Sequence, residues 1–228
     1  MLKLNPKIDW KKFGVEEIVV GDKYRWGKIC GHGYFSKPFN IEYARRDKCY
    51  KTWEKMLFNC FGANSLKEKP TMCDEWLDYF EFKKWWDENY YEMGNGTLEM
   101  CFTKNFMSFD NNRYSPELCA IIPRFLMTVL KTKRTNIERI NKGRNGEEIP
   151  SGFTYVDGKM GGKYSAFVQT DVERLYVGMA DTLEELIEPY KIIKEDYVHG
   201  LAEKNKDIFP KPVYDRLANY EWKIEHNM

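Results

Sequence analysis

Apolar residues recur at helical spacing over residues 47–61, where Tyr50, Trp53, Leu57 and Phe61 fall three or four positions apart. That period places them on one face of an amphipathic helix, with Gly62 as its stop. A second stretch, 74–90, sets Trp76, Tyr79, Phe80, Lys83, Trp86 and Tyr90 along one mostly aromatic face and predicts a second helix. Further along, Gly94-Asn-Gly96 and Asp110-Asn-Asn112 bracket a short apolar segment, and Ser115-Pro116 and Pro123 precede a short helix over 124–131. This part reads as a hairpin followed by a helix. Residues 152–156, 163–168 and 174–178 are three β-prone runs separated by turns containing Gly or Asp, which predicts a three-stranded antiparallel sheet. Asp181 or Thr182 can cap the helix that follows, with Glu185 three residues beyond Thr182 as in a capping box. Leu183, Leu186, Ile187, Tyr190, Ile193, Tyr197 and Leu201 form its apolar stripe, and Pro189 within it predicts a break or kink. Pro210 and Pro212 open a last short helix over 213–220.

The fold class that follows is α+β, in two parts. Residues 1–130 form the first, 131–149 a connector, and 150–228 the sheet with its C-terminal helices. The connector is placed by composition: Lys131, Lys133, Arg134, Arg139, Lys142 and Arg144 stand against one acid over 131–144, among glycines and asparagines that favour an exposed segment. Near the N-terminus, the Gly-rich stretch 28–35 reads as loop or short strand.

Charge changes the picture of possible partners. The chain has 228 residues and a net charge of +1, low for a protein whose main partner is double-stranded DNA, because phosphate contacts call for a basic excess. Positive charge gathers in the middle, and the C-terminal part is acidic. The absence of any run of eighteen apolar residues, and a charged, proline-containing N-terminus, lead to the expectation of a cytosolic protein with no membrane partner. Six cysteines without a CxxC pair sit in mostly apolar company and read as buried thiols rather than a metal site.

The order of motifs resembles the phage HNH-type endonucleases that carry a C-terminal AP2-like DNA-binding sheet. Cys49-Tyr-Lys-Thr-Trp-Glu-Lys-Met-Leu-Phe-Asn-Cys60 is similar to the family's Tyr-x-x-Trp-x-x-Met-Leu-x-Arg-Cys helix, and 70–86 to its Pro-Thr-Tyr…Val-Cys-x-x-Trp…Phe-x-x-Trp continuation. Tyr114-Ser-Pro-Glu-Leu-Cys119 with Ile122-Pro123 is similar to Tyr-Ser-Pro-x-x-Cys…Val-Pro. Lys163-Tyr-Ser-Ala-Phe, Leu175-Tyr-Val-Gly, Glu184-Glu-Leu…Tyr190-Lys and Leu201-Ala-Glu resemble the AP2-like sheet and helix. The resemblance spans roughly residues 28–225. It implies an HNH-like ββα region with flanking helices, followed by an AP2-like three-stranded sheet packed on helices.

HNH chemistry requires a divalent metal held on the scissile phosphate by ligands from the hairpin and its helix. Where the family's first strand ends in Leu-Asp-Lys-Asp, this chain has Phe102-Thr103-Lys104-Asn105, so both carboxylates are replaced. Where the helix usually presents an Asn, the stretch Pro123-Arg-Phe-Leu-Met127 places a thioether, a poor ligand for a hard cation. Thr103, Asn105 and Met127 are thus degenerate former active-site positions. None of His32, His199 and His226 falls in the hairpin or its helix; His32 is either a base recruited from afar or a structural residue. Glu117 and Asp110 are the nearby acids, and Asp110 sits in an Asp-Asn-Asn turn, where backbone hydrogen bonding is its commoner task.

The resemblance, with these departures, implies a non-catalytic phage protein with no cofactor and no metal. Its expected role is inhibition of a bacterial nucleic-acid-guided defence, anti-CRISPR-like, by binding the effector ribonucleoprotein or its guide RNA in the cytoplasm of an infected host. The six basic connector residues are the candidate contacts, and Asp171, Glu173, Glu184, Glu185 and Glu188 could meet basic surfaces of the effector. Alternatives are a DNA-binding protein using the sheet and connector, or a residually active, divalent-metal HNH homing endonuclease.

Overall fold

Asp47 begins the first helix by local chemistry: its backbone is extended and its carboxylate accepts the Cys49 amide at 2.9 Å. Helix α1 then runs Lys48–Phe61 and buries Tyr50, Trp53, Met56, Leu57 and Cys60. The computed structural model of the chain describes residues 29–37, 47–62, 68–94, 98–108, 111–130, 142–144, 146–157 and 162–224. Among them the fold is mixed α and β, with two compact units. One takes the described residues of Met1–Tyr90 with Lys104–Cys119, the other Tyr91–Thr103 with Ala120–Met228.

In the first unit, the helix expected over 74–90 is divided. A 3-10 turn, Glu75–Leu77, is followed by α2, Tyr79–Asn89. The divider is Asp78, which takes an extended backbone and caps α2 through the Phe80 amide while also accepting from Ser36. A side chain that satisfies two backbone donors in this way outcompetes continuous helix. The buried face is consequently Trp76, Tyr79, Phe82 and Trp86, with Phe82 in place of Phe80. Trp53 donates its indole N–H to the Trp76 carbonyl at 2.7 Å, and Phe35, Tyr50, Trp53 and Tyr79 pack ring on ring at 5.3–6.3 Å. The 28–35 loop tightens at Cys30 and Gly31, both at positive φ, and the Ile29 and Gly33 backbones bond each other across it. Two short strands, β1 (Thr71–Met72) and β3 (Arg113–Tyr114), pair in parallel.

The second unit contains the expected short helix, but the pairing differs from the hairpin expected before residue 119, because the second strand lies beyond that segment. Strand β2, Met100–Thr103, pairs antiparallel with β4, Ala120–Pro123, and α3, Arg124–Val129, follows β4 directly. The predicted three-stranded antiparallel sheet is also present, in the order β5 (Phe153–Val156), β6 (Lys163–Gln169), β7 (Arg174–Ala180), with a register shift between Ala166 and Phe167. Helix α4, Glu184–Lys204, packs on β6 and β7, and α5, Lys211–Ala218, packs on α4. Phe153, Tyr190 and Trp222 form an aromatic cluster on the inner face of the sheet.

Helix α4 continues through Pro189 rather than breaking there. Proline near the start of a helix removes a single donor, and burial of Leu186, Tyr190, Val198, Leu201 and Ala202 outweighs that loss. Half of the anticipated capping box forms, the Glu185 carboxylate accepting the Thr182 amide at 3.1 Å. No helix among the described residues is long and apolar enough to cross a membrane.

Candidate functional site

The ββα element is the first place to look for chemistry. In the β2–β4 register Met100 faces Pro123 and Thr103 faces Ala120. The start of α3 is tied to the segment before β2 twice: the Arg124 amide donates to the Glu99 carbonyl at 2.7 Å, and its guanidinium meets the Glu99 carboxylate at 2.5 Å. Thr103 ends β2 and is buried. Met127 lies on the exposed side of α3, 42% accessible, while Leu126 and Val129 supply the buried side.

In the first unit, the residues that follow Thr103 form a polar latch. The Lys104 ammonium donates to the Asn111 carbonyl at 2.6 Å, to Asn112 Oδ1 at 3.3 Å and to Asn105 Oδ1 at 3.2 Å. Asn111 returns the contact, donating from Nδ2 to the carbonyls of Lys104 and Arg113 and accepting the Arg113 amide. Burial holds the Lys104 amine below its ordinary range. Asn105, exposed, is thus a partner of a cation, where the resembling family has a carboxylate.

Glu117 is exposed, and hydrogen bonds from its own amide and from Ser115 hold its carboxyl below the usual range; Asp110 lies outside the described residues. A carboxylate stabilised in its ionised form is not tuned to donate a proton at neutral pH. His32 stacks on Phe61 with ring centroids 4.0 Å apart, which gives it a packing role. His199 shares a 3.0 Å hydrogen bond with the Tyr220 carbonyl, and His226 lies outside the described residues. No group of three or more His, Cys, Asp or Glu among the described residues is arranged to hold a metal ion. All six cysteines are free; Cys49, Cys60, Cys73 and Cys119 are buried, Cys30 and Cys101 partly so.

Of the basic connector residues, Lys131, Lys133, Arg134 and Arg139 lie outside the described residues. Lys142 pairs through its backbone with Glu148. Arg144 is built into the end of the sheet: its guanidinium donates to the Gly162 carbonyl at 2.8 Å and to Tyr155 Oη at 3.4 Å, and its amide donates to Tyr164 Oη. Tyr164 in turn donates to Glu147 at 2.5 Å. The five acids all lie exposed; Asp171 accepts from the Tyr197 hydroxyl, and Glu185 serves the start of α4.

Two features escaped the pattern reading. The first is a patch on β6 and β7, where the half-buried Phe167 and the exposed Tyr176 face each other at 5.3 Å and the Arg174 guanidinium lies 4.8 Å over the Phe167 ring. The register shift at Ala166/Phe167 creates this pairing, and simple alternation does not forecast a shift. The second is Lys194, only 4% accessible on α4. It falls four residues after Tyr190 and four before Val198, a spacing that could have flagged it had its charge not excluded it from an apolar stripe.

With this geometry in hand, comparison with known proteins adds no relative: no family model, no curated protein and no solved structure matches the chain.

Proposed function

We propose that this chain acts by binding rather than by cutting, as a phage anti-defence protein that docks on a bacterial nucleic-acid-guided effector or its guide RNA. The observation that carries this reading is the Lys104 ammonium, held by Asn111, Asn112 and Asn105 in the segment after the first strand of a ββα element. The resembling nucleases flank a lysine at this position with two carboxylates; with Thr103 and Asn105 there instead, the Lys104 charge repels a divalent cation that no neighbouring carboxylate holds, and attracts nucleic-acid phosphates. Met127 at the helix position and the ionised, exposed Glu117 point the same way. The test is a nuclease assay on plasmid and single-stranded substrates with magnesium or manganese, beside a pull-down from a lysate containing a guide-RNA defence complex. The expected result is no cutting with recovery of the complex. Metal-dependent cutting abolished by changing Asp110 or Glu117 would overturn the reading in favour of a residually active nuclease.

A second reading, DNA as direct partner, is favoured by the exposed Arg174 and Tyr176 beside the half-buried Phe167 on the sheet, since strands can enter a groove and Arg reads both phosphates and bases. Salt separates the two. Duplex binding should weaken steeply between about 50 and 200 mM salt, by a factor set by the number of phosphates neutralised, whereas a protein-dominated interface should change little.

A further inference from the structure

Helix α4 carries a lysine into the interior of the second unit. Lys194 is 4% accessible, and its ammonium donates to the Val129 carbonyl at the end of α3. Three N–H donors are available on an ammonium, and this is the one partner found for them among the described residues. Burying a cation without a carboxylate is costly, and an apolar side chain of the same length would serve packing better. Burial alone pushes the Lys194 amine down to about 8.

The same lysine lines a pocket of about 390 Å³, within the size range of small-molecule sites. Around it stand Arg174 from β7, Thr128, Ser151, and Phe167 and Gln169 from β6. The lining contains two cations and no carboxylate. Arg174 lies over the Phe167 ring, which orients its planar fork, and such a fork suits the oxygens of a phosphate. Gln169 is a wall rather than a donor, because its amide nitrogen already bonds the carbonyls of Thr170 and Glu173.

We propose that this pocket binds a small phosphate monoester, with Lys194 and Arg174 as its two cationic contacts and the hydroxyls of Thr128 and Ser151 as supplementary donors. A dianion matches two separated cations better than a single carboxylate does, and the volume exceeds that of a bare phosphate, leaving room for a group of sugar size. The competing role for Lys194 is to cap the last carbonyls of α3, which requires no ligand. The titratable groups that face the pocket are Lys194 and Tyr190 from α4 and Arg174 from β7; α3, the turn at 151–152 and β6 contribute none. The Tyr190 phenol is pushed up to about 12 by burial and stays neutral. Affinity should therefore fall as pH rises through about 8, where Lys194 loses its proton.

The proposal is independent of the docking function above. It is tested by titrating the full chain with ribose 5-phosphate, and separately with succinate, at constant ionic strength, following amide shifts by NMR and heat by calorimetry. Wild-type protein should bind ribose 5-phosphate with a dissociation constant of about 1 mM or lower and bind succinate at least tenfold more weakly. Lys194→Met, which keeps the side-chain length, and Arg174→Met, at an exposed position, should each weaken ribose 5-phosphate at least tenfold. Should Lys194→Met fail to fold, Arg174→Met carries the test alone. No saturable ribose 5-phosphate binding, equal affinity for succinate, or unchanged affinity in Arg174→Met overturns the phosphate site and leaves only the helix-capping role.

Discussion

Two lysines show how differently the two units treat a positive charge. In the first unit Lys83 lies on the surface of α2, one turn before Asp87, whose carboxylate it meets at 2.6 Å. In the second, Lys194 occupies a stripe of buried residues on α4, one turn after Tyr190, with a carbonyl as its partner. Both obey the same four-residue spacing. The carboxylate beside Lys83 raises its amine despite partial burial, whereas burial without any carboxylate lowers that of Lys194. The first arrangement is common surface chemistry and contributes little; the second makes the fold itself carry a protonation cost.

The largest expected effect follows from that cost. Lys194 has a folded-state value near 8 against an ordinary 10.5, so between those values the unfolded chain binds the proton that the folded chain has released. Stability should rise as pH increases from about 8 to 10.5 and be flat with respect to this group below 8. The amplitude is on the order of 3 kcal/mol, because each tenfold change in proton affinity corresponds to about 1.4 kcal/mol. Because other groups titrate in the same window, the measurement is urea unfolding of wild type minus Lys194→Met across roughly pH 7 to 11. A flat difference would show that the Lys194 amine keeps its ordinary proton affinity in the folded chain and carries no burial cost.

A smaller effect should come from the wall of the same region. Gly152 adopts a φ of +98°, and a methyl group there would come within 2.6 Å of the Tyr190 hydroxyl. Gly152→Ala should lower stability by about 1–3 kcal/mol, through strain and displacement of the ring that packs on Phe153 and Trp222. Thermal unfolding at neutral pH measures it; a neutral result would mean the ring yields freely and the pocket is loosely built. The smallest effect should be Asp87→Asn, at most about 0.5 kcal/mol, because an exposed i,i+4 pair is screened by water and salt. A loss above about 1 kcal/mol in low salt would remove the contrast between the two lysines.

Much of this architecture was legible because its determinants are local. Helix α1 is announced by Asp47, which caps it, and by the spacing of Tyr50, Trp53 and Leu57, which it buries. Strands β5, β6 and β7 follow from short β-prone runs between turns, and sequential neighbours in an antiparallel sheet need no distant information. Strand β2 and helix α3 were readable from the bracketing turns and Pro123, whereas the partner strand β4 lies beyond the bracketed segment and is fixed by long-range pairing. Asp78 was less legible, because its decisive role depends on the Ser36 amide, forty-two residues away in sequence. The parallel pairing of Thr71–Met72 with Arg113–Tyr114 has no periodicity to betray it, since two-residue strands are defined by their partner alone.

The candidate sites divide along the same line. Thr103, Asn105 and Met127 could be singled out by their place in a motif, because a hydroxyl, an amide or a thioether is visible in the letters themselves. That Lys104 is gripped by Asn111 and Asn112, and that Arg144 is tied to Gly162 instead of standing free in a basic run, depends on loops closing back on themselves. The sequence by itself determined the mixed α and β content, the three-stranded sheet and the buried face of α1, since periodicity, capping and residue chemistry act over a few positions. Tertiary structure alone decided which charges are buried and which are paired. Lys83 and Lys194 have identical side chains at similar helical spacing, and only the surroundings that packing brings to each, a carboxylate for one and a backbone carbonyl in the interior for the other, make them chemically different.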